Sequence, residues 1–130
     1  MNQEVKKEWV AALRSGDFKQ GHYALYNAEH DMYCCLGVLC ELHRRRFHSA
    51  EWVLNDPVQS DWLTCNTYLG HESHLPPAVN EWAGLEENGY LPGFLVTAND
   101  SDGLSFTKIA EYIEAYTESR TDDYYNREEE

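Results

Sequence analysis

Three of the chain's four cysteines lie within seven positions of one stretch, DMYCCLGVLCEL (31–42). Cysteines this close together could bind a metal ion, or one of them could act as a nucleophile. On a helix, where successive residues are about 100° apart, Cys34 and Cys40 would point about 120° apart and Cys35 and Cys40 about 140° apart. These pairs do not converge on one ion. We therefore predict no metal site and no cofactor, and cysteines that pack inside a central helix.

A cysteine-dependent hydrolase remains an alternative, with Cys34 or Cys35 as the nucleophile. A helix that begins near Asp31 would place both thiols in its first turn, where backbone N–H groups and the helix dipole stabilise a thiolate. The six histidines of the chain could supply a general base. No local signature of a known thiol hydrolase surrounds these cysteines, so we predict no catalytic residue.

Polar side chains near two predicted element ends are the better candidates for a binding site. Arg14, Lys19 and Gln20 lie at the end of the first predicted helix and in the following loop, and Asn99 and Asp100 follow a predicted strand. Arginine can fork onto phosphate or carboxylate, and glutamine can read an amide or a base edge. We predict that these five side chains bind a ligand, with aromatic side chains for stacking. A purely structural role, in which Arg14 pairs with Asp100, is left open.

The charge of the chain is strongly acidic, with 23 acidic against 10 basic side chains and a net charge of −13. Proteins that bind nucleic acid directly need a basic footprint, and the only dense one here is Arg44-Arg45-Arg46, so we predict no such binding. The opposite alternative is an acidic mimic that occupies a host nucleic-acid-binding protein. No apolar run approaches the roughly 20 residues that span a bilayer, and no export signal is visible. We expect a cytoplasmic protein without membrane contact.

The elements that position these residues can be predicted from helix caps and from the spacing of apolar side chains. Asn2 caps a first helix and Gly16 ends it, Asp31 caps a second, and Ser105 caps the last. Proline in the first turn marks a helix between the last two. The predicted elements are a helix over 2–15, an extended arm over 17–31, a helix over 32–46, short strands or ordered loops over 47–75, a helix over 75–85, a strand over 94–98 and a helix from 105.

The second helix is predicted to be central and buried, because its apolar side chains fill an arc of about 200°. Gly37, Glu41 and Arg44 occupy the remaining face. Glycine costs about 1 kcal/mol relative to alanine inside a helix, so we expect a neighbouring backbone or a ligand to approach closely at Gly37. The predicted fold class is α+β: a small single domain over 1–118, mostly helical with about four helices and a few short strands, followed by an acidic, frayed tail over 119–130.

Four sequence words occur in a fixed order: ALRSGDFKQG (12–21), YCCLGVLCEL (33–42), LPPAVNEWAGL (75–85) and ANDSDGLSFTKIAEYIE (98–114). Together they resemble a family of small, uncharacterised bacteriophage and prophage proteins. The resemblance implies an accessory protein that acts in the cytosol of an infected bacterium, most simply in counter-defence. We expect it to act by binding, as a sequestering agent for a small nucleotide-like signal or for a host defence protein. Assembly into a homo-oligomer is left open.

Overall fold

The computed structural model describes residues 1–54, 66–85 and 90–116. These residues form five helices and a sheet of five two-residue strands, so the predicted α+β class is confirmed. The tail predicted over 119–130 lies outside the described residues, as does the 55–65 part of the stretch predicted as short strands or loops. The elements in chain order are α1 (Gln3–Ser15), β1 (Lys19–Gln20), β2 (Tyr26–Asn27), β3 (Met32–Tyr33), α2 (Cys35–Phe47), β4 (Val53–Leu54), β5 (Asn66–Thr67), α3 (Pro77–Ala83), α4 (Tyr90–Asp100) and α5 (Phe106–Ala115).

The first helix begins and ends as its sequence predicts. Asn2 Oδ1 accepts hydrogen bonds from the backbone N–H groups of Glu4 (2.9 Å) and Val5 (3.2 Å), and Gly16 ends the helix with a φ of 82°. α1 packs against α5 and α2. Its fully buried Trp9 donates from Nε1 to the backbone oxygen of Cys35 at 3.0 Å, which ties α1 to the beginning of α2.

The predicted extended arm supplies the first strands of a small sheet with the strand order β1-β3-β2-β5-β4. β1 pairs with β3 in parallel, and the remaining pairs are antiparallel. Tyr33 lies opposite Gln20 on one side and Tyr26 on the other. Because directly opposite residues project from the same face of a sheet, the rings of Tyr26 and Tyr33 stack, with centroids 4.3 Å apart.

α2 is the central helix, as predicted, but it begins at Cys35 rather than near Asp31. Asp31 has a φ of 52° and lies in the turn before β3, so the prediction that it caps α2 is wrong. On the face that the apolar side chains leave, Gly37 and Glu41 are buried as well. A Cβ atom added to Gly37 would lie 1.7 Å from the backbone oxygen of Leu25. The close approach expected at this glycine is therefore made by a neighbouring backbone.

The strand predicted over 94–98 is wrong, because these residues lie inside α4. Aromatic and β-branched side chains in FLVTA favour a strand. The buried residues Leu91, Leu95 and Ala98 nevertheless recur at helical spacing, and they face α2 and α5, with which α4 is in contact. Tertiary packing therefore overrides local propensity in this segment.

The remaining two helices agree with their predicted caps. α3 has proline in its first turn and ends at Gly84, which has a φ of 71°. Ser105 Oγ accepts from the backbone N–H of Lys108 at 3.2 Å and so begins α5. No helix in the described ranges combines the length and the apolar character that crossing a membrane requires.

Candidate functional site

Three of the five predicted ligand-binding residues meet where β1 passes the C-terminal end of α4. Gln20 Nε2 donates to Asn99 Oδ1 (2.9 Å) and to the backbone oxygen of Leu104 (2.8 Å). Asn99 Nδ2 donates to Asp100 Oδ1 (2.7 Å) and to the backbone oxygen of Gly21 (2.9 Å). We call the side chains of Gln20, Asn99 and Asp100 the Asn99 hub.

The central amide of the hub has no capacity left for a ligand. Asn99 is fully buried, and its Oδ1 accepts a second hydrogen bond, from the backbone N–H of Cys35 at 3.3 Å. Two acceptor sites and two N–H donors are all that an asparagine side chain offers. Cys34 at the N-cap of α2 makes no side-chain capping bond, so Asn99 takes over that role from another helix. The predicted reading of a ligand by this amide is therefore not supported.

Arg14 and Lys19 lie apart from the hub. Arg14 donates from Nη1 and Nη2 to the two carboxylate oxygens of Glu114 on α5, at 3.1 and 3.2 Å. The alternative in which Arg14 pairs with Asp100 is therefore wrong. Lys19 is exposed on β1, and within the described ranges its ammonium group makes no hydrogen bond or ion pair.

Asp100 connects the hub to an exposed tyrosine. The backbone N–H of Tyr23 donates to Asp100 Oδ1 (3.0 Å), and Tyr23 Oη donates to the backbone oxygen of Asp100 (3.4 Å). Tyr23 has a φ of 67°, which is uncommon for a bulky residue, and its side chain is 66% exposed. We call residues 21–24 the Tyr23 turn. The Asn99 hub holds this turn in place, because Asn99 donates hydrogen bonds both to the backbone oxygen of Gly21 and to Asp100, which in turn binds Tyr23.

Sequence reasoning missed Tyr23 as a candidate. The alternation of Tyr23 and Leu25 with other residues predicts an extended arm, and the residue type at position 23 does not mark the positive φ found there. Glycine, asparagine or aspartate would normally mark it. The two long-range bonds to Asp100 hold the tyrosine in this conformation.

The described cysteines do not have the properties of a nucleophile or of a metal site. Burial raises the pKa of Cys34 to about 11, although backbone N–H groups at the start of α2 act in the opposite direction. Burial also raises the pKa of Cys35 and of Cys40 well above the ordinary value. A thiol with a raised pKa carries little thiolate near neutral pH. Within residues 1–54, 66–85 and 90–116, no group of three or more histidine, cysteine or acidic side chains could hold a metal ion.

A buried carboxylate organises the other polar cluster, on α2. Glu41 is 3% exposed and accepts hydrogen bonds from Arg44 (2.8 Å), Arg45 (2.7 Å) and Trp52 Nε1 (2.9 Å). Burial alone would raise the pKa of Glu41, but the hydrogen bonds from Arg44, Trp52 and Arg45 outweigh it and lower the pKa to about 2. Both guanidinium groups are thereby paired with an internal acid, Arg44 through two of its nitrogens and Arg45 through Nε.

Comparisons with known proteins give one family. The model of a family described as a domain of unknown function (DUF8296) matches residues 1–117. No curated protein and no solved structure matches the chain.

Proposed function

Because the chain belongs to the family described as a domain of unknown function (DUF8296), we propose its function from its own site: it is a phage-type accessory protein that binds and sequesters a host defence protein through the Tyr23 turn. The phage setting, in the cytosol of an infected bacterium, rests on the four sequence words. The choice of binding over catalysis is supported by the buried thiols of Cys34 and Cys35, whose pKa values are raised.

The observation that carries the proposal is that Tyr23 combines a strained backbone, with a φ of 67°, and an exposed side chain. A non-glycine residue in the left-handed region costs about 1–2 kcal/mol, and the ring of Tyr23 is 66% exposed, so its burial offsets little of that cost. Strain that the fold maintains at an exposed position is typical of recognition sites. Tyrosine is also enriched in the energetic centres of protein interfaces, because it brings a large rigid ring with few rotatable bonds.

Sequestration of a nucleotide-like signal is less well supported than sequestration of a protein. The amide of Gln20, expected to read an amide or a base edge, and that of Asn99, expected to bind the ligand, bind each other and the backbone. Arg14, expected to bind a phosphate, lies on the surface paired with Glu114. The polar groups that do converge, in the Asn99 hub, are thus occupied by one another, whereas the ring of Tyr23 is exposed, and an exposed ring suits a protein surface better than a small polar ligand.

One observation favours a second candidate function, the acidic mimic of nucleic acid. Four basic side chains of the described residues are engaged in ion pairs with acids of the same chain: Arg14, Arg44, Arg45 and Lys108. Pairing reduces the positive charge that the surface presents in a chain whose net charge is −13. Such a surface would attract a basic partner, and exposed charges are screened over about 10 Å at 0.1 M salt. Binding that weakens steeply between 0.05 and 0.5 M salt would favour this candidate.

The proposal can be tested in cells that carry individual defence systems. The wild-type protein is expressed before infection with a phage that the defence system blocks, and plaque formation is counted. We expect the wild type to restore plaques with at least one system, Tyr23→Ala to lose this effect, and Tyr112→Ala to retain it. Tyr112 is the matched control because it is a tyrosine that is 41% exposed on α5.

Affinity purification from the same cells then separates a protein partner from a small molecule. A defence protein that is recovered with the wild type and with Tyr112→Ala, but not with Tyr23→Ala, supports the proposal. A wild-type protein that instead releases a nucleotide on heat denaturation contradicts it. If Tyr23→Ala still restores plaques and still recovers the defence protein, and its thermal unfolding is unchanged, the Tyr23 turn is not the binding surface.

A further inference from the structure

His43 is an ionisable group enclosed by aromatic rings near the C-terminal end of α2. It is 6% exposed, and the centroids of Phe47, Trp82 and Tyr68 lie 4.9, 5.3 and 5.7 Å from the centre of its ring. Its Nδ1 lies 2.7 Å from Oη of Tyr68, which is fully buried. These contacts join α2 to α3, which carries Trp82, and to a tight hairpin over residues 66–71, which carries Tyr68. We call the His43–Tyr68 pair and its enclosing rings the His43 latch.

The charges around the latch do not favour an imidazolium ion. α3 contributes the uncharged ring of Trp82, and the hairpin contributes Tyr68, whose backbone is bonded to that of His71. α2 contributes Cys40, Glu41 and Arg44, and the following loop contributes Glu51; all four act on the pKa of Tyr68, and burial raises that pKa to about 12. Glu41 is already paired with two guanidinium groups. Among the described residues, the latch therefore contains a neutral phenol, and Glu41, the buried carboxylate nearby, is already neutralised by its guanidinium partners.

The direct hydrogen bond requires a particular protonation state at neutral pH. Burial lowers the pKa of His43, so the ring is neutral and its Nδ1 can accept a hydrogen bond from the hydroxyl group of Tyr68. A protonated Nδ1 becomes a donor, and the Tyr68 hydroxyl must then turn its own proton towards another acceptor. A charge would also be buried among apolar rings, which is costly unless water reaches it. Separation of the hairpin and α3 from α2 would admit that water.

We propose that protonation of His43 opens the latch, separating the 66–71 hairpin and Trp82 of α3 from the C-terminal end of α2 in mildly acidic solution. The parts that separate are small, since α3 has seven residues and β5 has two. The hub and the Tyr23 turn lie at the other end of α2, next to Cys35. The inference does not rest on the function proposed for that turn, although the two regions are connected: the backbone N–H of Leu25 donates to the backbone oxygen of Glu72, next to the hairpin, at 2.7 Å.

Solution NMR of the full chain between pH 8 and pH 4 tests the inference. The imidazole of His43 is titrated through its ring nitrogens, and backbone hydrogen exchange is followed at Tyr68 and His71, whose N–H groups bond to each other's carbonyl oxygens. After correction for the intrinsic exchange rate, we expect exchange at these two amides to rise up to about tenfold per pH unit below pH 6.5. The rise should end at the lower pH at which His43 becomes protonated even while the latch is closed.

Variants separate the latch from general acid unfolding. His43→Gln should abolish the pH dependence at the hairpin, and His71→Gln, a change on the same hairpin, should leave it in place. Tyr68→Phe keeps the ring but removes the bond that favours neutral His43, so it should move the opening to higher pH. The inference is overturned if His43 titrates near 6.5 without any change at Tyr68, or if the hairpin of His43→Gln opens on the same curve. Should His43→Gln fail to fold, the wild-type and Tyr68→Phe titrations decide between these outcomes.

Discussion

Gln20 and Asn99, 79 positions apart in the chain, are joined by a hydrogen bond of 2.9 Å between Nε2 and Oδ1. This bond connects β1 to α4, and the same Asn99 oxygen caps α2 through the N–H of Cys35. One buried amide thus fixes the relative positions of three elements. It also supports the turn that presents Tyr23, because it binds the backbone oxygen of Gly21.

The first prediction concerns the loss of this amide. Asn99→Ala removes four hydrogen bonds and leaves the N–H of Cys35 and the oxygen of Gly21 buried without their partner. We expect the free energy of unfolding to fall by about 3 kcal/mol or more, measured by urea denaturation. Asn27→Ala is the control, since within the described part of the chain Asn27 Oδ1 accepts one hydrogen bond, from the N–H of His30, and it should cost less than about 1 kcal/mol. A loss below that value for Asn99→Ala would contradict a structural role of the hub.

The hub shows which part of the site could be predicted from the sequence. The sequence predicts that Gln20, Asn99 and Asp100 are polar residues at the ends of elements, and the structure does bring them together. Their role could not be predicted, because a side chain that reads a ligand and one that satisfies buried backbone have the same residue type. Which of the two roles such a side chain has depends on the residues that contact it in the fold. For Gln20 the contact is Asn99, 79 positions away in the chain, and a local sequence pattern does not reveal a contact between residues so far apart.

The fold was predictable where local signals decide and unpredictable where tertiary packing decides. The caps at Asn2, Gly16 and Ser105 depend on neighbouring residues alone, and all three are confirmed. The segment 94–98 has strand propensity but becomes helical, because its buried face packs between α2 and α5. The positive φ of Tyr23 likewise depends on Asp100, which a local pattern cannot include.

The second prediction compares two helical glycines. In Gly37→Ala the new Cβ would lie 1.7 Å from the backbone oxygen of Leu25, so the backbone must move, and we expect a loss of at least about 3 kcal/mol. Gly93 on α4 has no atom within 4 Å of an added Cβ. Gly93→Ala should therefore stabilise the protein by about 0.5–1 kcal/mol through helix propensity. Thermal unfolding of both variants checks the opposite signs, and equal effects would contradict the close approach at Leu25.

The third prediction concerns the reactivity of the cysteines. With the pKa of Cys34 near 11, two units above the ordinary 9.0, its thiolate fraction at pH 8 is about 100-fold lower than that of a free thiol. Burial adds steric protection to Cys34, Cys35 and Cys40 alike. We expect alkylation by iodoacetamide to be at least about 100-fold slower in the native than in the urea-unfolded protein, measured on each peptide by mass spectrometry. Rapid native modification of Cys34 or Cys35 would revive the hydrolase alternative.

The fourth prediction concerns acid stability and Glu41. Its folded pKa of about 2 lies below the ordinary 4.5, so between these values the unfolded state binds more protons and stability falls as the pH falls. The contribution of Glu41 is complete above about pH 4.5 and is lost on approach to pH 2. Relative to the wild type, Glu41→Gln should lose up to about 3 kcal/mol at pH 7.

The pH dependence of that difference separates the ion pairs of Glu41 from its packing. If the pairs with Arg44 and Arg45 account for the loss, the difference between wild type and Glu41→Gln should shrink to less than half by pH 3, because the wild-type carboxylate then loses its advantage. A packing defect would instead persist at every pH. Glu51→Gln is the matched control, since Glu51 also pairs with Arg44 but is 69% exposed, and an exposed pair contributes at most about 1 kcal/mol. Urea denaturation from pH 7 to pH 3 measures all three proteins, and a difference that stays constant over this range would contradict the role of the ion pairs.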